Sequence, residues 1–460
     1  MNHLSKQLDR ALSRSLECAA KSQFEIVALT LLTGWSTFRN GVPTTADLAR
    51  TGLSVVALLV RLFGPVRAYA GMVGMMGVFA GYEFFAIGPQ ELQPSQTFNP
   101  FFLHLFCLIL ESFSGLSEMR FGEKMFVSAM ASEAVSFSLT RLFVFGFLHV
   151  VRNEQHFNDC DFLAFQVNFL ILIGVIISIY DRRLSKHIQP ADFAIVLMIS
   201  AFVCQGIFAS WFFTKNKYGI ERLFGIISQG HQWIIVTIGL IITSASVAYL
   251  VRERKIVPMT MVRKIFHLLA ILIFYPGIRY HSQLLTIFLS LAIFGFVFIE
   301  IIRHFSLRHE IFPTVTRFLD KFLKGFNDGK DDKFILTHTY LLTGCLWPMV
   351  SYRIKYNESY STQIDQLYPI SGLILIGISD SFASIIGKRF GRMKIGRKSL
   401  EGTIAFAISG ILFNFYFGNG MIRFKELVLF SLLSLVELTS TMIDNLVIPI
   451  LGMKFLTLFA

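Results

Sequence analysis

Residues 284–302 read LLTIFLSLAIFGFVFIEII, nineteen residues in which Glu300 is the only charged side chain. A transmembrane α-helix needs ~20 consecutive, mostly apolar residues, so this stretch predicts a membrane span. Fourteen further apolar runs lie along the chain, several of them short: 24–39, 52–64, 68–88, 100–113, 125–150, 161–180, 192–213, 232–250, 265–280, 335–352, 369–387, 403–419, 426–444 and 446–459. The sequence therefore predicts an all-α polytopic membrane protein with roughly 13 to 15 transmembrane helices.

The composition of the whole chain agrees with this fold class. Of the 460 residues, 54% are hydrophobic and 16% are charged, whereas soluble domains have roughly 25% charged residues. The net charge of +12 would suggest nucleic acid as the partner of a soluble protein, but in a membrane protein an excess of Lys and Arg marks cytosolic loops. We therefore predict a lipid bilayer, and no nucleic acid, as the partner.

The positions of the cations predict how the second half of the chain crosses the membrane. Lys and Arg cluster in the stretches 252–264, 303–333 and 388–398, and two predicted spans separate each cluster from the next. All three clusters are therefore expected on the cytosolic side. The opposite loop, 353–369, contains the only Asn-x-Ser/Thr sequon of the chain, at Asn357, and is expected on the lumenal side.

Residues 377–402, GISDSFASIIGKRFGRMKIGRKSLEG, carry the most informative polar pattern. Asp380, Ser384 and Gly387 have the spacing i, i+4 and i+7, which places them on one face of a helix. That face leads toward the third cation cluster. A carboxylate inside a span is costly in hydrocarbon, so Asp380 is a candidate functional residue.

The segment that follows Gly387 predicts an exposed anion-binding loop. Glycines allow backbone N–H groups to approach an anion closely, and a helix N-terminus adds partial positive charge. The candidate residues are Gly387, Lys388, Arg389, Gly391, Arg392, Lys394, Gly396, Arg397, Lys398, Ser399, Glu401 and Gly402. The pattern is not a P-loop. The cations alone have a second interpretation, because topology requires a positive loop between two spans of any membrane protein.

Two other spans are expected to bring polar groups to the same side. Arg263, Lys264 and His267 begin one span, and Arg263 and His267 are spaced as a phosphate clamp; the alternative is a basic pair that extends toward the membrane surface. Asp444 and Asn445 end the run 426–444, in which Glu437 lies two turns earlier. An Asp-Asn pair also has an alternative role as a helix cap.

The order of these motifs resembles the dolichol kinases, a family of CTP-dependent polyprenol kinases. The resemblance covers roughly residues 258–452 and rests on the following segments: RKxxH (263–267), YPGI (275–278), LTHTYLL (336–342), DSxASxxGxxxG (380–391), KSxEG (398–402) and TSTMIDNLVIPI (439–450). It divides the chain into a variable transmembrane region, 1–250, and a lipid kinase domain, 251–460. One departure is the short and very basic loop between Gly391 and Lys398, which leaves open which cation meets which phosphate.

The resemblance implies transfer of the γ-phosphoryl group of CTP to the terminal hydroxyl of dolichol, in the endoplasmic reticulum membrane, for protein glycosylation. The family's CTP-binding segment corresponds to residues 387–401, and Arg263, Lys264 and Asp380 match motifs shared with related lipid kinases. We also expect His267 to contact CTP, and from their charge we expect Asp380, Lys398, Glu401 and Asp444 to be the catalytic residues. A divalent cation, expected to be Mg²⁺, would be held by Asp380 and Asp444, with Glu401 as an alternative ligand; which carboxylate acts as base stays open.

Two rival functions remain open at this point. One is another CTP-using lipid enzyme, either a kinase or a cytidylyltransferase acting on phytol, diacylglycerol or phosphatidic acid. The other is a transporter or membrane scaffold without turnover, whose cations contact anionic headgroups.

Overall fold

The computed structural model describes residues 53–58, 72–73, 75–76, 102–107, 124–132, 135, 159–215, 219–253, 259–324, 335–356, 367–395, 398–417, 423–440 and 443–458. From residue 159 onward these ranges contain twelve α-helices and one two-stranded hairpin. The helices are α1 (Asp159–Ile179), α2 (Pro190–Lys215), α3 (Gly219–Glu253), α4 (Met259–Tyr280), α5 (Ser282–His309), α6 (Pro313–Lys324), α7 (Thr337–Tyr356), α8 (Leu367–Gly372), α9 (Asp380–Phe390), α10 (Leu400–Phe417), α11 (Phe424–Thr439) and α12 (Asp444–Leu458).

The helices confirm an all-α membrane protein. Five helical stretches in the described part of the chain are long and apolar enough to cross a membrane: Phe162–Leu184, Pro190–Ala209, Ser282–His309, Leu367–Phe390 and Leu400–Phe417. Shorter apolar helices cover Ile227–Thr243 and Phe266–Tyr280. The predicted runs from residue 161 onward correspond to helices whose ends differ by a few residues in most cases, whereas much of the earlier runs lies outside the described residues.

The predicted run 426–444 was wrong at its C-terminal end. Helix α11 ends at Thr439, Ser440 is extended, and Asp444 begins α12 instead of ending α11. The residues at this break are rich in Ser and Thr, whose hydroxyls often bond back to the carbonyl four residues earlier and thereby slightly destabilise or bend a helix. The Oγ1 atom of Thr439 donates to the carbonyl of Leu435 at 2.9 Å, within the last turn of α11.

One helical rod lies at the centre of the bundle and positions Asp380. Helix α8, a π-helical segment (Leu373–Ser379) and α9 follow one another without a break, and every residue from 367 to 379 is buried. Gly377 allows a close approach to α4, because a Cβ atom there would lie 2.6 Å from Cγ1 of Ile271. A π-helical turn shifts the side chains that follow it and frequently marks a functional site. Asp380 comes directly after this segment.

A buried ion cluster ties α6 to the C-terminal end of α5. Arg303 bonds Glu300 through Nε at 2.8 Å and Nη2 at 2.6 Å, and its Nη1 atom bonds Asp320 at 2.6 Å. Glu300 also accepts a hydrogen bond of 2.7 Å from the backbone N–H of Ile335. Charges buried this deeply require such pairing, because an unpaired one would carry a large desolvation penalty.

The link between α9 and α10 is a short hairpin instead of an irregular loop. Strand β1 (Lys394–Ile395) pairs antiparallel with β2 (Lys398–Ser399), with Lys394 opposite Ser399 and Ile395 opposite Lys398. The predicted site residues Gly396 and Arg397, between the strands, lie outside the described residues. The hairpin turns Lys398 back toward the helix bundle.

Candidate active site

Asp380 forms an ion pair with Lys264, across the contact between α9 and α4. Both side chains are largely buried, with 9% and 12% of their surface exposed. The two residues are 116 positions apart in the sequence, and the close packing of α4 against the π-helical segment brings them together. Lys264 therefore compensates the carboxylate that the sequence analysis singled out.

His267 lies one turn after Lys264 and connects α4 to α12. Its Nε2 atom is 3.9 Å from Oδ2 of Asp380 and 3.1 Å from Oδ1 of Asn445. Residues three apart share one face of a helix, which is why Lys264 and His267 point to the same carboxylate. The third predicted residue of this motif, Arg263, lies in α4, but its side chain is outside the described residues.

Lys398 is the centre of a second group of charges. Its Nζ atom lies 2.8 Å from Oε1 of Glu437 and 3.4 Å from Oδ1 of Asp444, and it also donates to the backbone carbonyl of Glu437. Burial disfavours the charge on Lys398, but the two carboxylates outweigh this effect and raise the pKa of Lys398 above its usual value. The expectation of an exposed loop lysine was wrong, because only 20% of this side chain is exposed.

The two groups form one polar cluster, since Asp380 and Lys398 also interact electrostatically. We call it the charge cluster; its members are Lys264, His267, Asp380, Lys398, Glu437, Asp444 and Asn445. They come from α4, α9, β2, α11 and α12, where these elements meet at one end of the bundle. The charge cluster holds three carboxylates and two lysines, a combination that suits phosphoryl transfer: cations neutralise phosphates, while carboxylates bind a metal or accept a hydroxyl proton.

Glu437 and Asn445 were not among the predicted site residues. The signal for Glu437 was its position as an ionisable residue inside an apolar run, but its lysine partner could not be read from the sequence. Asn445 was recognised only as the neighbour of Asp444. Its amide contacts His267 because α12 begins beside α4.

The carboxylates fit the chemistry of Mg²⁺, which prefers oxygen ligands and usually takes one or two carboxylates together with phosphates and water. Within the described residues, no three His, Cys, Asp or Glu side chains are grouped closely enough to hold a metal ion by themselves. Asp444 lies 3.4 Å from Nζ of Lys398, and Asp380 interacts electrostatically with the same lysine. A metal bound there would share its coordination with a nucleotide, as Mg²⁺ does in kinases.

Glu401 holds the backbone that leads into the hairpin. Its Oε1 atom accepts hydrogen bonds from the N–H groups of Arg392 at 2.9 Å and Met393 at 3.0 Å. This geometry makes Glu401 a positioning residue for the cationic segment. Its predicted roles as metal ligand and base stay predictions.

Three of the predicted anion-binding glycines lie where α9 crosses α10. A Cβ atom on Gly402 would be 2.8 Å from the carbonyl oxygen of Ala383, and one on Gly387 would be 2.9 Å from Oγ of Ser399. The hydroxyl of Ser399 also blocks space beside Gly391 and accepts a hydrogen bond of 3.2 Å from the N–H of Gly402. Helix packing therefore accounts for these glycines and Ser399, and their role in anion binding stays a prediction.

Four of the predicted cations are exposed, two in the last turn of α9 and two between α9 and β2: Lys388, Arg389, Arg392 and Lys394. They precede Lys398, whose side chain points toward the charge cluster.

The chain is similar to curated dolichol kinases. It is 32% identical to the dolichol kinase of Schizosaccharomyces pombe over 196 residues, which are 41% of this chain and 37% of that protein. It is 31% identical to the dolichol kinase of Homo sapiens over 201 residues, 42% of this chain and 37% of that protein. For the dolichol kinase of Saccharomyces cerevisiae the values are 29% over 307 residues, 62% and 54%.

These similarities confirm the resemblance seen in the motifs. The alignments span between about a third and about half of the length of the curated relatives. No family model matches the chain. No solved structure matches it either.

Proposed function

We propose that this chain is a CTP-dependent dolichol kinase. The observation that carries the proposal is the charge cluster, in which three carboxylates and two lysines from five elements meet beside an exposed cationic segment. Similarity to proteins named dolichol kinase supports dolichol as the substrate. CTP is proposed as the phosphoryl donor because the resemblance implies it and the sequence has no P-loop.

The charges suggest a role for each part of the charge cluster. Lys264 and Lys398 would neutralise the triphosphate together with Lys394, Arg263 and Arg397. Asp380 and Asp444 would hold a divalent cation, which supplies further neutralisation of the phosphates when it is bound. Carboxylates in this position are also able to accept the proton of the attacking hydroxyl.

The proposed reaction transfers the γ-phosphoryl group directly from CTP to the alcohol, and no further reactant is needed. The alcohol oxygen forms a bond to the γ-phosphorus of CTP, the bond between that phosphorus and the β–γ bridging oxygen breaks, and CDP leaves. The hydroxyl proton passes to a carboxylate of the charge cluster. The lipid chain would stay in the bilayer while its hydroxyl group reaches the membrane surface.

We place the protein in the endoplasmic reticulum membrane with the charge cluster facing the cytosol. The three cation-rich stretches support this orientation under the positive-inside rule. We further propose 13 to 15 transmembrane helices, counting the apolar runs of the sequence. Residues 1–250 would form a variable region, and residues 251–460 the kinase domain.

Product analysis tests the proposal. Purified full-length protein would be incubated with dolichol and with CTP labelled on the γ-phosphate, in parallel with labelled ATP and with phytol, diacylglycerol and phosphatidic acid. We expect labelled dolichyl phosphate and CDP, with CTP preferred over ATP. Transfer of CMP with release of pyrophosphate would indicate a cytidylyltransferase, a better acceptor than dolichol would indicate another lipid kinase, and lipid binding without turnover would indicate a transporter or scaffold.

A further inference from the structure

An apolar cavity of about 220 Å³ lies between α1, α5, α7 and residues 124–132. Its walls include aliphatic side chains of α1 and α5 and aromatic side chains of α7, among them Ile171, Ile293, Val297, Tyr340 and Trp347. The cavity is separate from the charge cluster, and no residue of that cluster lines it.

Among the described residues, Glu300 is the only charged one on the cavity wall. Its carboxylate is already bonded to Arg303 and to the N–H of Ile335. None of the lining residues in the described part of the chain is a cation that could receive a phosphate headgroup. The wall therefore suits an uncharged hydrocarbon chain, and it disfavours the anionic end of a phospholipid.

Helix α7 separates the cavity from the charge cluster. Thr339 and Thr343 line the cavity from one face of α7. The next residue, Gly344, packs against the backbone carbonyl of Asn445, whose side chain contacts His267. Packed helices lie about 8–10 Å apart, so the cavity is about one helix diameter from the cluster.

The cavity volume suits a segment of a longer chain. An apolar cavity of about 150 Å³ remains dry and holds one benzene molecule, so about 220 Å³ accommodates roughly one or two five-carbon isoprenoid units. A complete lipid would not fit. The remainder of a long chain would lie along the outer surface of the helices.

We infer that this cavity binds part of the isoprenoid chain of the alcohol substrate while its hydroxyl group lies at the charge cluster. The inference rests on the proposed function and specifies how the same site recognises a lipid alcohol. The isoprenoid chain of the substrate passes around α7 at membrane depth, so that its contacts with the cavity hold the hydroxyl near the phosphoryl donor. An alcohol too short to reach the cavity lacks these contacts.

Photolabelling of the purified full-length chain tests the inference. One probe is a polyprenol with a diazirine group on its chain, and the other is a phosphatidylcholine with a diazirine group on an acyl chain. We expect the polyprenol probe to label α5 and α7 at residues 293–301 and 336–347, and unlabelled polyprenol to compete. Stronger labelling of these residues by the phosphatidylcholine probe would overturn the inference and assign the cavity to a membrane lipid.

Two variants that fill the cavity extend the test. Thr343→Leu and Ala131→Leu each add bulk to the cavity wall, and Leu172→Phe is the control, because Leu172 lies on α1 with 49% of its surface exposed. We expect polyprenol labelling to fall about tenfold in the filled variants, the change for about two buried methylene groups. The control should label like the unmodified protein. The two substitutions lie in different elements. If one variant fails to fold, the other still tests whether the cavity binds polyprenol.

Turnover separates this inference from the proposed function. The filled variants should lose most of the advantage of long alcohols over short ones, with an unchanged KM for CTP. Normal turnover of long alcohols by well-folded filled variants would overturn the inference and leave the proposed function intact. An unmodified protein that phosphorylates no alcohol but carries the polyprenol label in the cavity would overturn the proposed function alone.

Discussion

The Nζ atom of Lys398 lies 2.8 Å from Oε1 of Glu437, and this ion pair joins the hairpin before α10 to the last turns of α11. The glutamate side chain is 8% exposed. A lysine that belongs by sequence to a cationic loop therefore also neutralises a carboxylate inside the bundle. Its removal should affect the fold as well as nucleotide binding.

We predict that Lys398→Ala lowers both activity and stability. The substitution removes the Lys398 cation from Glu437, and an uncompensated buried carboxylate costs about 3 kcal/mol. Thermal unfolding in detergent and turnover at several CTP concentrations would measure the two effects. Unchanged thermal stability would contradict the buried ion pair. The exposed Lys186→Ala, which removes the same charge far from the cluster in sequence, is the control.

Lys394→Ala should give the opposite pattern. Lys394 is exposed on the hairpin, so its removal costs the fold little, because surface ion pairs contribute ~0–1 kcal/mol. If it attracts the triphosphate, the KM for CTP rises, and the increase becomes smaller at high salt because free ions screen exposed charges. A KM that is unchanged at low salt would exclude Lys394 from nucleotide binding.

The sequence alone predicted part of the arrangement of Asp380, Lys264 and His267. The positive-inside rule predicted that the helix ends carrying them lie on one side, and the cost of a charge in hydrocarbon identified Asp380. The sequence could not predict that Asp380 pairs with Lys264, because the two lie on different helices whose rotation depends on packing against Gly377. Periodicity predicts which residues share a face of one helix; it does not predict which face of another helix they meet.

Gly387 and Gly402 illustrate a different difficulty. A glycine permits close approach by any group, and the sequence does not say whether that group is an anion or another helix. In the structure the neighbours are the backbone of the facing helix and Ser399. Helix α6 was also not predicted, because a short amphipathic helix contains no continuous apolar run.

We predict that Gly402→Ala destabilises the crossing of α9 and α10. The added Cβ atom would lie 2.8 Å from the carbonyl oxygen of Ala383, a backbone atom that cannot move without shifting α9. Overpacking of this kind costs typically ~1–3 kcal/mol, and a shifted α9 would move Asp380. Thermal stability and turnover should both fall.

The matched control for this substitution is Gly239→Ala. Gly239 lies within α3, and a Cβ atom there meets nothing within 4 Å. Alanine is favoured over glycine in a helix by about 1 kcal/mol, so this variant should be as stable as the unmodified protein or more so. If the two variants had equal stability, the close contact at Gly402 would not constrain the fold.

The proposed orientation predicts glycosylation at Asn357. A sequon exposed to the lumen of the endoplasmic reticulum is a substrate for glycosylation, whereas a cytosolic one is not. A glycosidase-sensitive shift in gel mobility, abolished by Asn357→Gln, would support a lumenal loop between α7 and α8. Protection of a cysteine introduced at Lys394 from a membrane-impermeant reagent applied to the cytosolic side would contradict the orientation.

The ion pair between Asp380 and Lys264 allows the structural role of Asp380 to be separated from its chemical role. Asp380→Asn keeps the size of the side chain but leaves Lys264 with a largely buried, uncompensated charge, which should cost about 3 kcal/mol of stability. Activity should be lost as well, since Asn neither binds a metal as a carboxylate does nor accepts a proton. The single variant cannot tell which loss causes the other.

The double variant Asp380→Asn with Lys264→Met resolves this question. Replacing both partners of a buried ion pair by neutral groups is often neutral for stability, so the double variant should regain most of the thermal stability that the single variant lost. It should stay inactive, because the carboxylate is still absent. Asp192→Asn, at an exposed position of α2, is the control for loss of an acidic charge. Recovery of turnover together with stability would remove Asp380 from the chemistry and make its pairing with Lys264 purely structural, whereas a stable and inactive double variant requires the carboxylate itself.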